Sequence, residues 1–326
     1  MLMVAFSGSS ALIMPLSRAA SRHTPGALRI AACAASSSPA DLPPLPSGFI
    51  VVDKPPGWTS FDVVGKVRGT LERDLKSRGH TFRRRSRLKV GHGGTLDPLA
   101  TGLLVLGVGG GTKLLDAYLR GAKGYAARAR LGAETDTQDS EGATLSEAGY
   151  AHVTRASLEA AAAALTGEIL QRPPIYSALR RDGVRLHELA RAGKVEETDV
   201  EPRAVTVHAL RLEPDYADGG ADLGLRVVCS GGTYVRTLIV DLARAVDSAG
   251  HMTALERTRV GPFCSAAHGV DESGAEAAAA PPPALVAPVG EADLGDAERL
   301  YAAIAEADDA LKRAEALKAE QEPAVA

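Results

Sequence analysis

The glycine-rich loop of residues 91–102, GHGGTLDPLATG, contains the residues best suited to chemistry. Its four glycines permit backbone conformations that other residues avoid, and they allow a ligand to approach the chain closely. Asp97 is the only carboxylate of the loop, and Pro98 fixes the backbone directly after it. Such a carboxylate can act as a nucleophile or as a general base, although ordinary turns use the same residue types. A P-loop is excluded because the GxxxxGK[ST] pattern is absent.

A strongly basic stretch precedes this loop. Ten Lys or Arg residues between Lys66 and Lys89 face only two acidic residues. The net charge of the whole chain is -3, but residues 271–326 contain 13 acidic and four basic residues, so the remainder is basic. Local positive charge of this kind attracts a phosphate backbone through counterion release. A solvated surface loop or a localisation-like basic run explains the pattern equally well.

The overall composition is that of a soluble globular protein with one large or two ordinary domains. The chain has 326 residues, of which 45% are hydrophobic and 24% charged. No apolar run approaches the ~20 residues that a membrane-spanning helix needs, which argues against a membrane-spanning role. The three cysteines form no CxxC pair, which excludes a disulfide framework and a cysteine zinc site. Cys229 and Cys264 are interpreted as small buried residues.

The first 40 residues have the composition of an organelle transit peptide. They contain no Asp or Glu, include three arginines and are rich in Ser and Ala. Residues 28–35, LRIAACAA, resemble the processing region of plastid precursors, so we expect chloroplast localisation, with mitochondrion as the alternative. Residues 1–47 are interpreted as this transit peptide and a proline-rich linker.

From residue 48 the hydrophobic pattern becomes regular. A helix is expected after Thr59 or Ser60, with Phe61, Val64, Val67 and Leu71 on one face. Further helices are predicted over 112–119, 154–165 and 235–246, and strands over 49–52, 103–108, 125–131, 205–212 and 223–229. Because these elements alternate without a βαβ repeat, the pattern favours a mixed sheet flanked by helices. Residues 271–326 are interpreted as an acidic Ala/Pro-rich tail, partly helical or disordered, with one exposed helix and no strand pattern.

Six sequence blocks occur in the order found in one known family. They are KPPGWTS (54–60), HGGTLDPLATG (92–102), KGY (123–125), QRPPIYSA (171–178), CSGGTYVRTL (229–238) and GPF (261–263). Together they resemble the TruB family of pseudouridine synthases over residues 48–264. The resemblance implies an α+β pseudouridine synthase fold, a mixed, largely antiparallel sheet flanked by helices, with a central RNA-binding cleft. The catalytic domain is expected to span residues 48–270.

The same resemblance implies roles for individual residues. Asp97 aligns with the aspartate that isomerises uridine, and Arg236 aligns with the arginine that pairs with it. Tyr125 would stack on the base, His92 would receive the nucleotide flipped out of its loop, and Leu255 would keep water from the aspartate. Neither a metal nor an organic cofactor is expected. The remaining substrate contacts expected are Lys54, Arg83, Arg84, Arg85 and Arg87.

The implied reaction is conversion of uridine to pseudouridine at position 55 in the T-loop of tRNA. The enzyme is expected to act as a monomer on the tRNA T-arm, without an obligatory protein partner or a membrane. Bacterial members usually end in a β-rich RNA-binding PUA domain, which residues 271–326 do not resemble, and the basic insertion of residues 73–89 would compensate by binding phosphates. Two alternatives remain: an RNA-binding or tRNA-folding chaperone with incidental or lost isomerase activity, and a guide-RNA-dependent synthase.

Overall fold

The computed structural model describes residues 42–265 and 284–321. The predicted transit peptide, Cys33 and part of the predicted tail lie outside the described residues. The helices are α1 (Ser60–Ser77), α2 (Leu115–Arg120), α3 (Arg155–Ala164), α4 (Leu186–Arg191), α5 (Val235–Arg244) and α6 (Ala297–Gln321). The strands are β1 (Gly48–Lys54), β2 (Val90–His92), β3 (Thr101–Val108), β4 (Lys123–Leu131), β5 (Ala133–Thr135), β6 (Thr144–Glu147), β7 (Gly167–Gln171), β8 (Arg180–Arg181), β9 (Val184–Arg185), β10 (Arg203–Leu212), β11 (Asp222–Cys229), β12 (Gly250–Val260), β13 (Phe263–Ser265) and β14 (Ala284–Val286).

A ten-stranded sheet organises the protein. Its main path runs β1-β3-β12-β4-β11-β10-β7, with β2 paired to β3 and with β13 and β14 attached beyond β12. The β3–β12 and β13–β14 pairs are parallel, and the other pairs are antiparallel. The predicted α+β class with a mixed, largely antiparallel sheet is therefore confirmed.

Three apolar cores lie against this sheet, and in the third of them helix α6 packs on β1 and β3. Helices α3 and α5 pack against β4, β10 and β11 in the first core, which also holds Leu96 and Ala100 of the glycine-rich loop. Helix α1 covers β1 and β3 in the second core. Because both loop residues are almost fully buried, the loop that carries Asp97 is anchored in the first core rather than free in solvent.

Helix α1 begins where the sequence predicts, but its buried face differs from the expected one. Thr59 caps the helix and forms a reciprocal capping box with Asp62. Val63 and Val64 are buried, whereas Phe61 is 57% exposed. The prediction that Phe61 shares the apolar face was wrong, because the valine pair already covers the sheet and Phe61 lies at the edge of the helical stripe.

The tail also differs from expectation. Strand β14 pairs with β13 although no strand was expected there. Helix α6 buries one face, formed by Leu300, Ala303, Ala307, Ala310 and Ala314. A Cβ added to Gly48 of β1 would lie 2.8 Å from the Ile304 side chain, so the helix approaches the sheet closely. The prediction of an exposed helix was wrong because small alanines, which give little hydrophobic signal, permit this close packing.

Two further properties concern the described part of the chain. None of its helices has both the length and the apolarity needed to cross a membrane. Cys229 and Cys264 are buried, as predicted, and burial raises the pKa of the Cys229 thiol to about 11.

Candidate active site

Asp97 and Arg236 form the central pair of the site. Arg236 Nε lies 2.9 Å from Asp97 Oδ2, with the arginine side chain 4% exposed and the aspartate side chain 36% exposed. The guanidinium also donates to the carbonyl oxygens of Thr137 at 2.6 Å and Tyr176 at 3.0 Å, and it lies 3.6 Å from Asp139 Oδ2. A buried guanidinium with this many partners is held in one orientation. It therefore orients the Asp97 carboxylate through a charge-assisted hydrogen bond.

The residue before Asp97 is held by helix α1. Ser60 Oγ accepts a hydrogen bond from Leu96 N at 2.9 Å and lies 3.2 Å from Leu96 O, to which it donates. Ser60 is the first residue of the helix and is 1% exposed. The start of α1 therefore fixes the backbone of the glycine-rich loop next to Asp97.

Lys54 holds the loop on the other side of Asp97. Its ammonium donates to the carbonyl oxygens of Pro98 at 3.2 Å, Trp58 at 2.7 Å and Pro55 at 2.8 Å. The residue has no exposed surface, and burial lowers the pKa of its ammonium to about 8. The prediction that Lys54 contacts substrate is therefore corrected, because all three of its protons are used by backbone carbonyls inside the protein.

Tyr125 lies on β4 opposite Arg257 of β12. The tyrosine is 7% exposed, and burial raises its pKa to about 12, so the phenol is neutral at ordinary pH. Arg257 is 1% exposed and donates to Leu103 O at 2.7 Å and Gly94 O at 3.2 Å, while burial lowers the pKa of its guanidinium. Sequence reasoning missed Arg257, since an isolated arginine in a polar segment gives no signal of burial beneath a site.

Position 102 of the loop requires glycine. Its φ is +88°, and an added Cβ would lie 2.4 Å from the carbonyl oxygen of Arg257. The parallel pairing of β3 with β12 brings these two backbones together. Only glycine fits both the left-handed conformation and the close approach.

A third buried cation lies beside Tyr125. Lys123 Nζ donates to the carbonyl oxygens of Leu119 and Gly121, both at 2.8 Å, and burial lowers its pKa to about 8. Together with Lys54 and Arg257 it places positive charge around the loop that carries Asp97.

Asp97 lines two cavities. The first, of about 390 Å³, contains Tyr125, Leu255, Lys123 and Arg257, and the second, of about 520 Å³, contains His92. Both volumes fall within the usual range for ligand sites, about 300–1,000 Å³. The structure thus brings the predicted Asp97, Tyr125, Arg236 and Leu255 together around one cavity and places His92 in the adjoining one.

His92 ends strand β2 and is half-buried. Its ring meets the Phe61 ring edge-on with centroids 5.2 Å apart. Burial lowers the pKa of the imidazole, so the neutral form predominates at neutral pH. The ring is therefore suited to aromatic and hydrogen-bonding contacts more than to charge pairing.

The predicted phosphate-binding arginines divide into two groups. Arg83, Arg84 and Arg85 are exposed and line neither cavity. Arg87 instead pairs with the nearly buried Glu72, with Nη2 and Oε2 3.1 Å apart. Because Glu72 also accepts from Leu88 N at 3.0 Å, the Arg87 pair fixes the end of the basic segment.

No group of three or more His, Cys, Asp or Glu side chains in residues 42–265 and 284–321 is placed to hold a metal ion. Asp97 and Asp139 flank Arg236, and Lys54, Lys123 and Arg257 are buried nearby.

The fold and this site define the class of the protein as a pseudouridine synthase. Residues 81–235 match the family model described as TruB family pseudouridylate synthase (N terminal domain). The chain belongs to the TruB family, since curated relatives are 42% and 44% identical to it over two thirds or more of both chains.

Curated relatives named tRNA pseudouridine synthase B are similar over most of the folded region. The protein of Thermobifida fusca (strain YX) is 42% identical over 262 residues, which cover 78% of this chain and 84% of that protein. The protein of Arthrobacter sp. (strain FB24) is 44% identical over 220 residues, 67% of each chain. Among solved structures, "Crystal Structure of a Cbf5-Nop10-Gar1 Complex" is similar with a TM-score of 0.51 and 25% identity, covering 80% of this chain and 59% of that one.

Proposed function

We propose that this chain converts uridine to pseudouridine at position 55 in the T-loop of tRNA, as a stand-alone enzyme. The observation that carries the proposal is the Asp97 carboxylate, paired with a buried arginine at the junction of two cavities. The similarity of the chain to proteins named tRNA pseudouridine synthase B supports tRNA as the substrate.

The chemistry is an isomerisation. The bond between N1 of uracil and C1′ of ribose breaks, the base turns, and a bond forms between C5 and C1′. The proton on C5 leaves and N1 gains one, so atoms and electrons balance without a second reagent. Asp97 can act as a nucleophile on the sugar or base, or as a base toward a sugar proton. Either route requires the accessible, oriented carboxylate that Arg236 holds.

Tyr125 and Leu255 shape the cavity for the target base. The Tyr125 ring offers a face for stacking, and its neutral phenol can donate a hydrogen bond or exchange a proton. Leu255 adds an apolar wall that excludes water from the carboxylate. Because a stacked base cannot reach Asp97, the uridine must first be flipped out of the RNA.

The test uses the purified protein and an unmodified tRNA transcript without guide RNA. Release of the C5 hydrogen of position 55 into solvent, with formation of pseudouridine, is expected. Tight binding without reaction would contradict the proposal and favour a chaperone. Reaction only after addition of a guide RNA would contradict stand-alone activity.

The basic segment after α1 is proposed to bind tRNA phosphates through Arg83, Arg84 and Arg85. Their exposure supports this, whereas the pairing of Arg87 with Glu72 gives that residue a structural role. Replacing the first three with Gln should weaken tRNA binding and flatten its salt dependence by about one slope unit per lost contact. Arg87→Gln is the control variant. It should lower the unfolding free energy of the protein more than its affinity for tRNA. Unchanged affinity and slope in the triple variant would contradict the proposal.

We also propose that residues 1–47 direct the protein to the chloroplast, in keeping with their acid-free, Ser/Ala-rich composition. Fusing these residues to a fluorescent protein tests the proposal. Fluorescence in plastids is expected, and fluorescence confined to mitochondria or cytosol would contradict it.

A further inference from the structure

Phe61 is an exposed aromatic side chain in a chain with few aromatics. Only 4% of the residues are Phe, Trp or Tyr, and yet Phe61 is 57% exposed on the first turn of α1. The ring lines the second cavity, the same cavity that Asp97 and His92 line. An apolar ring in a cleft beside a reactive carboxylate is better explained by a ligand than by the core.

The position of Phe61 relative to Asp97 is fixed by the backbone. Ser60 and Leu96 exchange two hydrogen bonds, of 2.9 and 3.2 Å. Phe61 directly follows Ser60, and Asp97 directly follows Leu96. Phe61 and Asp97 are therefore each adjacent to one of two residues that are joined by two hydrogen bonds. The backbone segments that carry the ring and the carboxylate cannot move independently.

Two side chains set the surroundings of the ring. The Arg185 guanidinium lies over it, 5.4 Å from the centroid, and His92 meets it edge-on at 5.2 Å with an interplanar angle of 84°. Arg180 and Arg191 line the same cavity. Arg236 also lines it, as do three carboxylates, Asp97, Asp139 and Glu141. An aromatic ring with an arginine over it has the composition of a stacking site for an unpaired nucleobase.

We propose that Phe61, with Arg185, is the stacking platform for an unpaired base next to the target uridine. The inference rests on the proposed function. In the proposed reaction the target base enters the first cavity beside Tyr125. The second cavity shares Asp97 and Arg236 with the first, so it adjoins the place of the neighbouring nucleotide. There its face can lie on the phenyl ring or on the guanidinium plane, and the cationic side chains can receive its phosphate.

The test compares Phe61→Leu with Phe61→Trp, because leucine keeps the apolar bulk and loses the aromatic face. The Leu variant should raise the Kd and KM for unmodified tRNA by about 5- to 150-fold, the equivalent of one stacked base. Its kcat at saturating tRNA should stay close to that of the parent, and the Trp variant should restore binding. Leu114→Ala is the matched control, since Leu114 is 58% exposed and does not line this cavity.

A direct readout comes from fluorescence. Trp58 is the single tryptophan, so Phe61→Trp in a Trp58→Phe background places the only indole at the platform. Stacking should quench its emission when tRNA is added. Unchanged emission would overturn the proposed stacking role of Phe61. An equal loss of tRNA binding in the Phe61→Leu and Phe61→Trp variants would also overturn it.

The two proposals fail in different ways. A parent protein that binds tRNA without forming pseudouridine overturns the proposed function. A parent that forms pseudouridine, with a Phe61→Leu variant that matches it in Kd and KM, overturns only the role of Phe61.

Discussion

Arg236 determines how the Asp97 carboxylate is presented. Its guanidinium contacts two carboxylates and two backbone carbonyls while remaining 4% exposed. Such a planar fork cannot be reproduced by a single ammonium group. Asp97, by contrast, keeps about a third of its side-chain surface accessible. The immobile arginine therefore holds a carboxylate that a ligand can reach.

Replacing Arg236 with Lys should therefore keep the charge and lose the orientation. Loss of one or two charge-assisted hydrogen bonds, each worth about 1.5–3 kcal/mol, predicts a single-turnover rate at least about 10-fold lower. Binding of tRNA should change little, since the residue is buried. A variant with the parent rate would show that orientation by the fork is not required.

Lys54 gives the protein a characteristic pH dependence. Burial lowers the pKa of the ammonium from 10.5 to about 8, so between these values the unfolded chain binds more protons than the folded one. The contribution of Lys54 to stability should thus rise from pH 8 to pH 10, by up to about 1.4 kcal/mol per pH unit.

Urea unfolding of the parent and of Lys54→Met at pH 8 and pH 10 measures this contribution. The difference in unfolding free energy between the two proteins should shift in favour of the parent as the pH rises. Lys123→Met, which removes the other lysine with a pKa of about 8, should show the same trend. If the difference in unfolding free energy did not depend on pH, the lowered pKa of the buried Lys54 would be contradicted.

At the scale of elements, the site is assembled where the glycine-rich loop, α1, β4, β12 and α5 meet. The loop is anchored in the first core by Leu96, and α1 is joined to it through Ser60. Strands β3 and β12 run parallel at Gly102, where an added Cβ would meet the Arg257 backbone. The packing of these elements, more than the flexibility of the loop, positions Asp97.

Gly102→Ala should consequently destabilise the protein by more than about 1 kcal/mol, since its φ is +88° and the neighbouring backbone leaves no room. Gly65→Ala is the control: Gly65 lies within α1 and a Cβ there meets nothing within 4 Å, so a gain of up to about 1 kcal/mol is expected. Thermal unfolding measures both. Equal effects of the two substitutions would contradict the close approach of β3 and β12.

The sequence predicted these elements unequally. Strands β1, β3 and β4 and helix α5 have regular apolar spacing, and the ordered motifs predicted one shared site for Asp97, Tyr125 and Arg236. The central strand β12 was not predicted, because its buried Arg257 and Arg259 interrupt the apolar alternation on which strand prediction depends. Phe61 was assigned to the core because helical spacing alone does not reveal that a neighbouring valine already fills that face.

At the scale of the whole molecule, the C-terminal helix is part of the fold. Alanines of α6 pack in the third core with Phe49 and Val51 of β1. The acidic composition of this region describes its solvent-facing side chains, whereas the alanine face provides the packing. The helix therefore supports β1, the strand that ends at Lys54, whose ammonium donates to Pro98 of the glycine-rich loop.

Ala307→Leu should destabilise the protein by about 1–3 kcal/mol, because the extra side-chain volume has no space in a tightly packed interface. Ala302→Leu, at an exposed position of the same helix, should change stability by less than about 0.5 kcal/mol. Chemical unfolding of the two variants provides the comparison. Identical stabilities would contradict packing of α6 against the sheet.

The Asp97 carboxylate is proposed to carry out the isomerisation, and Asp97→Asn tests this role. An amide keeps the shape of the side chain but is neither a base nor a comparable nucleophile. Under single-turnover conditions with an unmodified tRNA transcript, the variant should form no detectable pseudouridine and should bind the tRNA with nearly the parent Kd. Pseudouridine formation by the variant at the parent rate would contradict a role of the Asp97 carboxylate in the reaction.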